Sequence, residues 1–282
     1  MKRPYFGWLW LVAGMLAGFG LPGSWSAETD TSLMPPDIRR IVKRGELIVA
    51  MHREDGAPFY TLDKAGQLCG LDVDLAESIA QTLGVKVRFD RSSATFDGLV
   101  DFVAAGQADL AISCISRTPR RAMLANFSTP YVRLYQALLI NRVKGPRAGN
   151  ALPIDQWLNA PNIRIGTISG SSYMDFAVKD YPKAEIVAYE DFDKAAAAAV
   201  RGDVHAVIFD NSQITLWVQQ HPEEVLYVQT RIMKDKEDPL SIVVNWQDAQ
   251  LLNWINTYLA TMEGEGRLTA LRVKWLGKES SP

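Results

Sequence analysis

Between residues 37 and 277, short apolar runs alternate with stretches in which apolar residues recur every three or four positions, which predicts strands joined by helical crossovers. Leu47–Met51 reads as the first strand. Phe59–Leu62 and Gln67–Leu71 read as a hairpin turned by Asp63-Lys64-Ala65-Gly66, after which Asp72 caps a helix carrying Val73, Leu75, Ile79 and Leu83. Val85–Phe89 is the next strand, Phe96–Ala104 the next helix and Asp109–Ile112 the strand after it, and this first unit ends near Tyr131. A second unit follows, with strands at Ile163–Gly166, Ile186–Tyr189 and Val204–Phe209. Its helices are Ser171–Lys179 and the alanine-rich Asp191–Arg201, ended by Gly202. A strand at Ser241–Val244 and helices at Gln247–Met262 and Arg267–Trp275 complete the chain. Such alternation belongs to the α/β class, in which ligands collect beyond the carboxyl ends of strands, so Ser113 and Asp210 mark the positions of interest.

The segment from Asp109 to Tyr131, DLAISCISRTPRRAMLANFSTPY, carries the most chemistry. Small polar residues follow the strand through Ser116. Thr118 is then a good helix N-cap and Pro119 a good first helical residue, which puts Arg121 in a first turn beside free backbone N–H groups. Amides, hydroxyls and a guanidinium fork suit a planar carboxylate. Taken alone, the stretch reads equally as an ordinary helix cap with a solvated arginine.

Composition then narrows the class. The chain has 282 residues with 48% hydrophobic, enough for two modest cores or one large one. Lys2 and Arg3 precede an apolar run from Tyr5 to Leu21 and the small residues around Ser26 and Ala27, the order of a secretory signal peptide spanning residues 1–26. A retained anchor is the other reading of that run, which is close to the shortest membrane span. No cysteine follows it to accept a lipid. The formal charge is -2, and loss of Lys2 and Arg3 with the leader makes it -4; with the basic residues dispersed, nucleic-acid binding is excluded. Cys69 and Cys114 could pair after export or stay as two thiols.

Seven segments in order then identify a resemblance. They are IVKRGELIVAM, the APF of Ala57–Phe59, GLDVDLAESIAQTLG, FDGLVDFVAAGQADLAISCIS, RTPRRAMLANFSTPY, RIGTISGSS and RGDVHAVIFD. Together they resemble the family 3 periplasmic solute-binding proteins for amino acids. The resemblance implies a two-lobed α/β clamshell, each lobe a central, mostly parallel sheet flanked by helices, with two crossover strands as hinge. Lobe 1 would comprise 37–132 plus 243–277 and lobe 2 would comprise 133–242, crossing near Val132–Tyr135 and Leu240–Val244. It further implies that Arg121 grips a ligand α-carboxylate with Ser113, Ser116 and the backbone N–H of Cys114. Ser171 and Ser172 would meet that carboxylate from the second lobe, and Asp210 would accept from the α-ammonium. Phe59 and Phe96 would supply the walls. The chain departs from the family at Cys114, where a serine or threonine is common, at Gly56, where an aromatic is common, and at His205, where an acid is usual.

The implied function is that of an exported, periplasmic, monomeric binding protein that hands an amino acid or related zwitterion to the membrane subunits of an ABC permease, without a cofactor or metal. Two other classes share the fold: periplasmic cyclohexadienyl or arogenate dehydratases, in which Asp210 or Glu190 would donate a proton, and sensory ligand-binding domains. No catalytic motif supports an enzyme. GFGLPG from Gly18 lies in the leader, GTISG at Gly166 is not GxSxG, and Asp72 and Asp74 read as a cap and a first-turn acid rather than a metal pair. His52, His205 and His221 lack ligand spacing, and Trp246, Trp254 and Trp275 are spaced for helix packing.

Overall fold

The computed structural model of the chain describes residues 31–146 and 152–277; the leader lies outside them. In chain order the elements are α1 (Pro36–Arg44), β1 (Glu46–Ala50), β2 (Thr61–Leu62), β3 (Leu68–Cys69), α2 (Leu71–Leu83), β4 (Lys86–Asp90), α3 (Phe96–Ala104), β5 (Leu110–Ala111), β6 (Ala125–Phe127) and β7 (Val132–Asn141). There follow α4 (Ile154–Leu158), β8 (Arg164–Ile168), α5 (Ser172–Asp180), β9 (Glu185–Tyr189), α6 (Phe192–Arg201), β10 (Ala206–Asp210), α7 (Asn211–Gln220), β11 (Val228–Leu240), β12 (Val243–Asn245), α8 (Ala249–Gly264) and α9 (Arg267–Leu276). Among the described residues no helix is long and apolar enough to cross a membrane.

Two five-stranded sheets result, in the orders β4-β1-β5-β12-β6 and β9-β8-β10-β7-β11. In the first, β12 alone runs against its neighbours, and in the second, β7 alone does so. Each odd strand has crossed over from the other sheet, so the two lobes repeat one plan. Helices cover both faces of each sheet, as parallel strands require, because their residues are apolar on both sides: β10 reads AVIFD and is buried almost throughout. One core of the first lobe gathers Leu47, Leu75, Ile79 and Leu110 with Ile255 of α8, and another gathers Leu99, Val103 and Ile115. The second lobe has its own pair, around Ala195, Val207 and Trp217 and around Ile165, Tyr181 and Ile208.

The chain passes between the sheets after β6 and again between β11 and β12. The two passages lie side by side: Tyr131 donates its backbone N–H to Leu240 (3.0 Å) and Ser128 to Ile242 (2.9 Å). The C-terminal helices return to the first lobe and are tied there by acids from its N-terminal part. Asp74 accepts the Trp275 indole N–H at 2.8 Å. Asp37 of α1 accepts the N–H groups of Gln250 and Leu251 at 3.0 and 2.9 Å, doing for α8 what its own preceding residue, Asp248, does not.

Helices α1, α4 and α7 and strands β6, β7 and β11 have no counterpart in the apolar pattern, although the resemblance implies a crossover at the start of β7. β11 contains Lys234, Asp235, Lys236, Glu237 and Pro239, and it tolerates them because it is an edge strand with its register broken between Ile232 and Glu237. Asp72 is not a cap. The first amides of α2 donate to the Pro58 and Phe59 carbonyls (Leu71 3.1 Å, Asp72 2.9 Å), so the Asp72 carboxylate is free to turn inward. Gly70 makes that docking possible: at φ 139° a Cβ would lie inside the Phe59 carbonyl.

Asp37→Ala should lower the stability of the protein by about 1 kcal/mol, the usual worth of a helix cap, read as a fall in the urea midpoint, while Asp37→Asn should retain most of it. An unchanged midpoint for the alanine variant would remove the capping role.

Candidate functional site

A cleft of about 820 Å3, part of it open to solvent, lies where the carboxyl ends of both sheets meet. Its first wall begins with the turn after β5. Cys114 adopts a left-handed conformation, φ 51°, unusual for a residue with a Cβ. Its backbone N–H donates to Asp72 Oδ2 at 2.6 Å, and Tyr131 donates its hydroxyl to Asp72 Oδ1 at 2.8 Å. The amide expected to serve a ligand is therefore taken by a buried aspartate. The Cys114 thiol faces the cleft, and both cysteines are free thiols. Ser113 is fully buried behind the wall, where its hydroxyl accepts the His52 N–H at 2.9 Å and bonds the Tyr60 hydroxyl.

Thr118 and Pro119 do not start an α-helix. A single 3-10 turn covers Arg121–Met123, and Thr118 Oγ1 accepts the Arg121 N–H at 3.3 Å, which uses the amide the helix reading leaves open. The buried Arg121 side chain donates through Nε to Asp97 Oδ1 (2.9 Å), through Nη1 to the Ser116 carbonyl (3.1 Å) and through Nη2 to the Gly170 carbonyl of the second lobe (3.4 Å). A guanidinium has five N–H donors, so one remains on each Nη, enough for a carboxylate. Asp97 also accepts from Arg120 at 2.6 Å, and Arg120 reaches Asp175 on α5 at 2.7 Å.

From the second lobe come Ser171, Ser172 and Asp210, which all line the cleft. Ser172 Oγ lies 2.7 Å from Ser116 Oγ, a hydrogen bond that closes the lobes on each other. Ser171 turns its hydroxyl back to the Ile168 carbonyl (2.7 Å), so no side chain caps α5 at its cleft end. Asp210, at the end of β10, caps α7 by accepting the Gln213 N–H at 2.7 Å. Burial, reinforced by the neighbouring charge of Asp238, pushes the Asp210 carboxyl up to about 7.

The walls are aromatic. Phe59 and Phe96 line the cleft as expected from the sequence, and His52 stacks on Phe96 at 4.8 Å. Burial lowers the pKa of that imidazole, whose Nδ1 lies 3.2 Å from the Glu54 backbone nitrogen and whose Nε2 lies 2.9 Å from the Ala94 carbonyl. Tyr60 covers Gly56, where a Cβ would fall 2.5 Å from the tyrosine ring, so the close approach of that ring requires glycine here. Tyr173, Phe192 and Phe209 form the second lobe's floor, with Tyr173 and Phe209 4.8 Å apart. His205 and His221 bond the backbone and face Trp157 and Trp217, away from the cleft.

Sequence reasoning did not single out Asp97, Asp238, His52, Tyr173, Phe192 or Phe209. Tyr173 directly follows Ser172 and could have been found from that helix start. Asp238 sits in a charged run and carries no periodic signal. It is 1% exposed, its Oδ2 accepts the Ser116 hydroxyl at 2.9 Å and the Tyr173 hydroxyl, and its Oδ1 has no partner.

Comparison with known proteins places this architecture. The family described as bacterial extracellular solute-binding proteins, family 3, matches residues 47–278. An ABC transporter arginine-binding protein of Escherichia coli K12 is 23% identical over 221 residues, 77% of this chain and 86% of its own. An L-cystine-binding protein of the same organism is 23% identical over 86% of each chain. The crystal structure of an ancestral amino acid-binding protein, a precursor of cyclohexadienyl dehydratase, superposes with a TM-score of 0.71 at 29% identity, covering 84% of this chain and 98% of its own.

Because the folded-state pKa of Asp210 lies above its unfolded value, protons are bound preferentially by the folded protein between pH 3.8 and about 7. The ligand-free protein should lose stability as pH rises through that window. Asp210→Asn keeps a capping side chain but removes the charge, so it should be more stable than the parent at pH 8, by up to a few kcal/mol, and equal to it at pH 4. Equal urea midpoints at both pH values would contradict the assignment.

Proposed function

We propose that this chain, which belongs to family 3 of the bacterial extracellular solute-binding proteins, captures an amino acid or related zwitterion between its lobes and delivers it to an ABC permease. One observation carries the reading. The cleft puts a guanidinium with two spare donors and a carboxylate on opposite lobes, Arg121 and Asp210, each buried. A zwitterion offers the complement to both, and burying either end unpaired would cost several kcal/mol. Phe59, Phe96, Ser116, Ser171 and Ser172 complete the proposed contacts, while Ser113 and the Cys114 amide act by holding the wall in place.

A ligand held by both lobes stabilises the closed form by its differential affinity, with hinge motion at the paired segments 128–132 and 240–243. The lobes are accordingly 37–132 plus 243–277 and 133–242. Residues 1–26 act as the export signal to the periplasm, where the protein works as a monomer. The names of the E. coli relatives support amino acids as the ligand class. The role is binding rather than catalysis. The likeness to a dehydratase precursor and the near-neutral Asp210 carboxyl favour one enzyme test, incubation with prephenate and arogenate, from which no product is expected.

Arg121→Ala and Asp210→Ala should each abolish the rise in melting temperature caused by the cognate amino acid in a screen of the twenty amino acids, and retained stabilisation in either would overturn the zwitterion model. An ammonium needs Asp210 ionised. With its ligand-free pKa at about 7, affinity in the unsubstituted protein should weaken by on the order of tenfold per pH unit below 7, accompanied by proton release visible as buffer-dependent heats in calorimetry.

A further inference from the structure

The donors that would read a carboxylate already have anionic partners within the protein. Arg121 is paired with Asp97, the Ser116 hydroxyl is given to Asp238, and the Cys114 amide to Asp72. The acids at the rim are also compensated: Asp55 by Arg91, and Glu190 and Asp191 by Lys194. Two carboxylates are left over. Asp210 and Asp238 are both buried, both line the cleft, and neither enters an ion pair among the described residues. Asp238 Oδ1 has no hydrogen-bond partner at all.

A solute with one ammonium and one carboxylate satisfies Asp210 and takes up the spare donors of Arg121, leaving Asp238, which the Arg121 charge offsets only in part against burial, with no ion-pair partner of its own. We infer that Asp238 is a specificity residue and that the solute is a cationic amino acid, whose two positively charged groups are received by Asp210 and Asp238 while its carboxylate takes the spare Arg121 donors. This rests on the amino-acid reading above and adds the class of side chain to it. The geometry suits the task. Tyr173 and Ser116, one from each lobe, both donate to Asp238 Oδ2, which leaves the buried Oδ1 without a partner among the described residues and couples recognition of the second cation to lobe contact. Aromatic faces at Tyr173, Phe192 and Phe209 give the aliphatic stem and its cationic end a favourable surface. Burial holds the Asp238 carboxyl above its ordinary range in the ligand-free protein, and an arriving cation favours its charged form.

Calorimetry with charged and neutral isosteres tests this: arginine against citrulline, lysine against norleucine, and cadaverine as a dication without a carboxylate. The unsubstituted protein should bind the charged member of at least one amino-acid pair 30-fold or more tightly than its neutral isostere. Asp238→Asn, which keeps the shape and the acceptor for Ser116 and Tyr173, should reduce that ratio at least tenfold, by weakening the charged member and by relieving the neutral one of an unpaired carboxylate. Equal binding within both pairs, or an unaltered ratio in the variant, overturns the inference and leaves the amino-acid reading standing. Should cadaverine bind as tightly as lysine, the cation sites hold and it is the carboxylate reading that fails. No binding of any of the five compounds overturns the inference, and the amino-acid reading then falls only if the screen of the twenty amino acids also finds no ligand. Selectivity of the unsubstituted protein decides the matter even if the variant does not fold.

Discussion

The cleft depends on one buried carboxylate that never touches it. Asp72 accepts the Cys114 amide and the Tyr131 hydroxyl, and in doing so holds Cys114 in a left-handed conformation that costs a non-glycine residue about 1–2 kcal/mol. Burial pushes the Asp72 carboxyl up to about 7 and these two hydrogen bonds work against that rise; with a carboxyl acceptor in either protonation state, bonds worth about 1 kcal/mol or more each offset the cost. The turn so fixed aims Ser113 backward to the His52 amide and Tyr60, and Ser116 and Arg121 forward to the second lobe. Asp72 in turn is free for this only because α2 docks its first amides on Pro58 and Phe59 across Gly70. The wall residue Phe59, the helix and the polar turn are thus a single mechanical unit.

The two lobes meet through polar contacts rather than through a shared apolar core. Ser116 touches Ser172, Arg121 reaches the Gly170 carbonyl, Asp97 donates its backbone N–H to that same carbonyl at 3.2 Å, and Arg120 bridges Asp97 to Asp175. Each lobe meanwhile keeps its own pair of apolar cores. Contacts of this kind exchange readily with water, so opening costs each lobe none of its internal packing. Two hydrogen-bonded passages at 128–132 and 240–243 keep the lobes in register as they part.

Closure also concentrates charge. Burial raises the cost of ionising both Asp210 and Asp238, and the Asp238 charge adds to that cost at Asp210. In a folded protein such groups are retained when something compensates them, and here the compensating charge belongs to the solute. The arginine on the opposite wall offsets Asp238 only in part: its charge favours the ionised form, but burial outweighs it, and its Nε is engaged by Asp97.

The sequence by itself determined the lobe interiors and the principal pair of charges. Apolar spacing located α2, α3, α5, α6, α8 and α9 to within a few residues, since periodic burial is written directly into residue order, and the family segments singled out Arg121 and Asp210. It did not disclose the cap role of Asp37 on α8, the inward turn of Asp72, the retreat of Ser113 behind the wall or the single 3-10 turn at Arg121. Above all it hid Asp238. That residue lies in the charged run of an edge strand, and its partner Ser116 is 122 residues away in the chain. Whether a carboxylate is solvated, paired or left waiting in a cleft depends on what folding brings to its other side, and only the tertiary structure decides that.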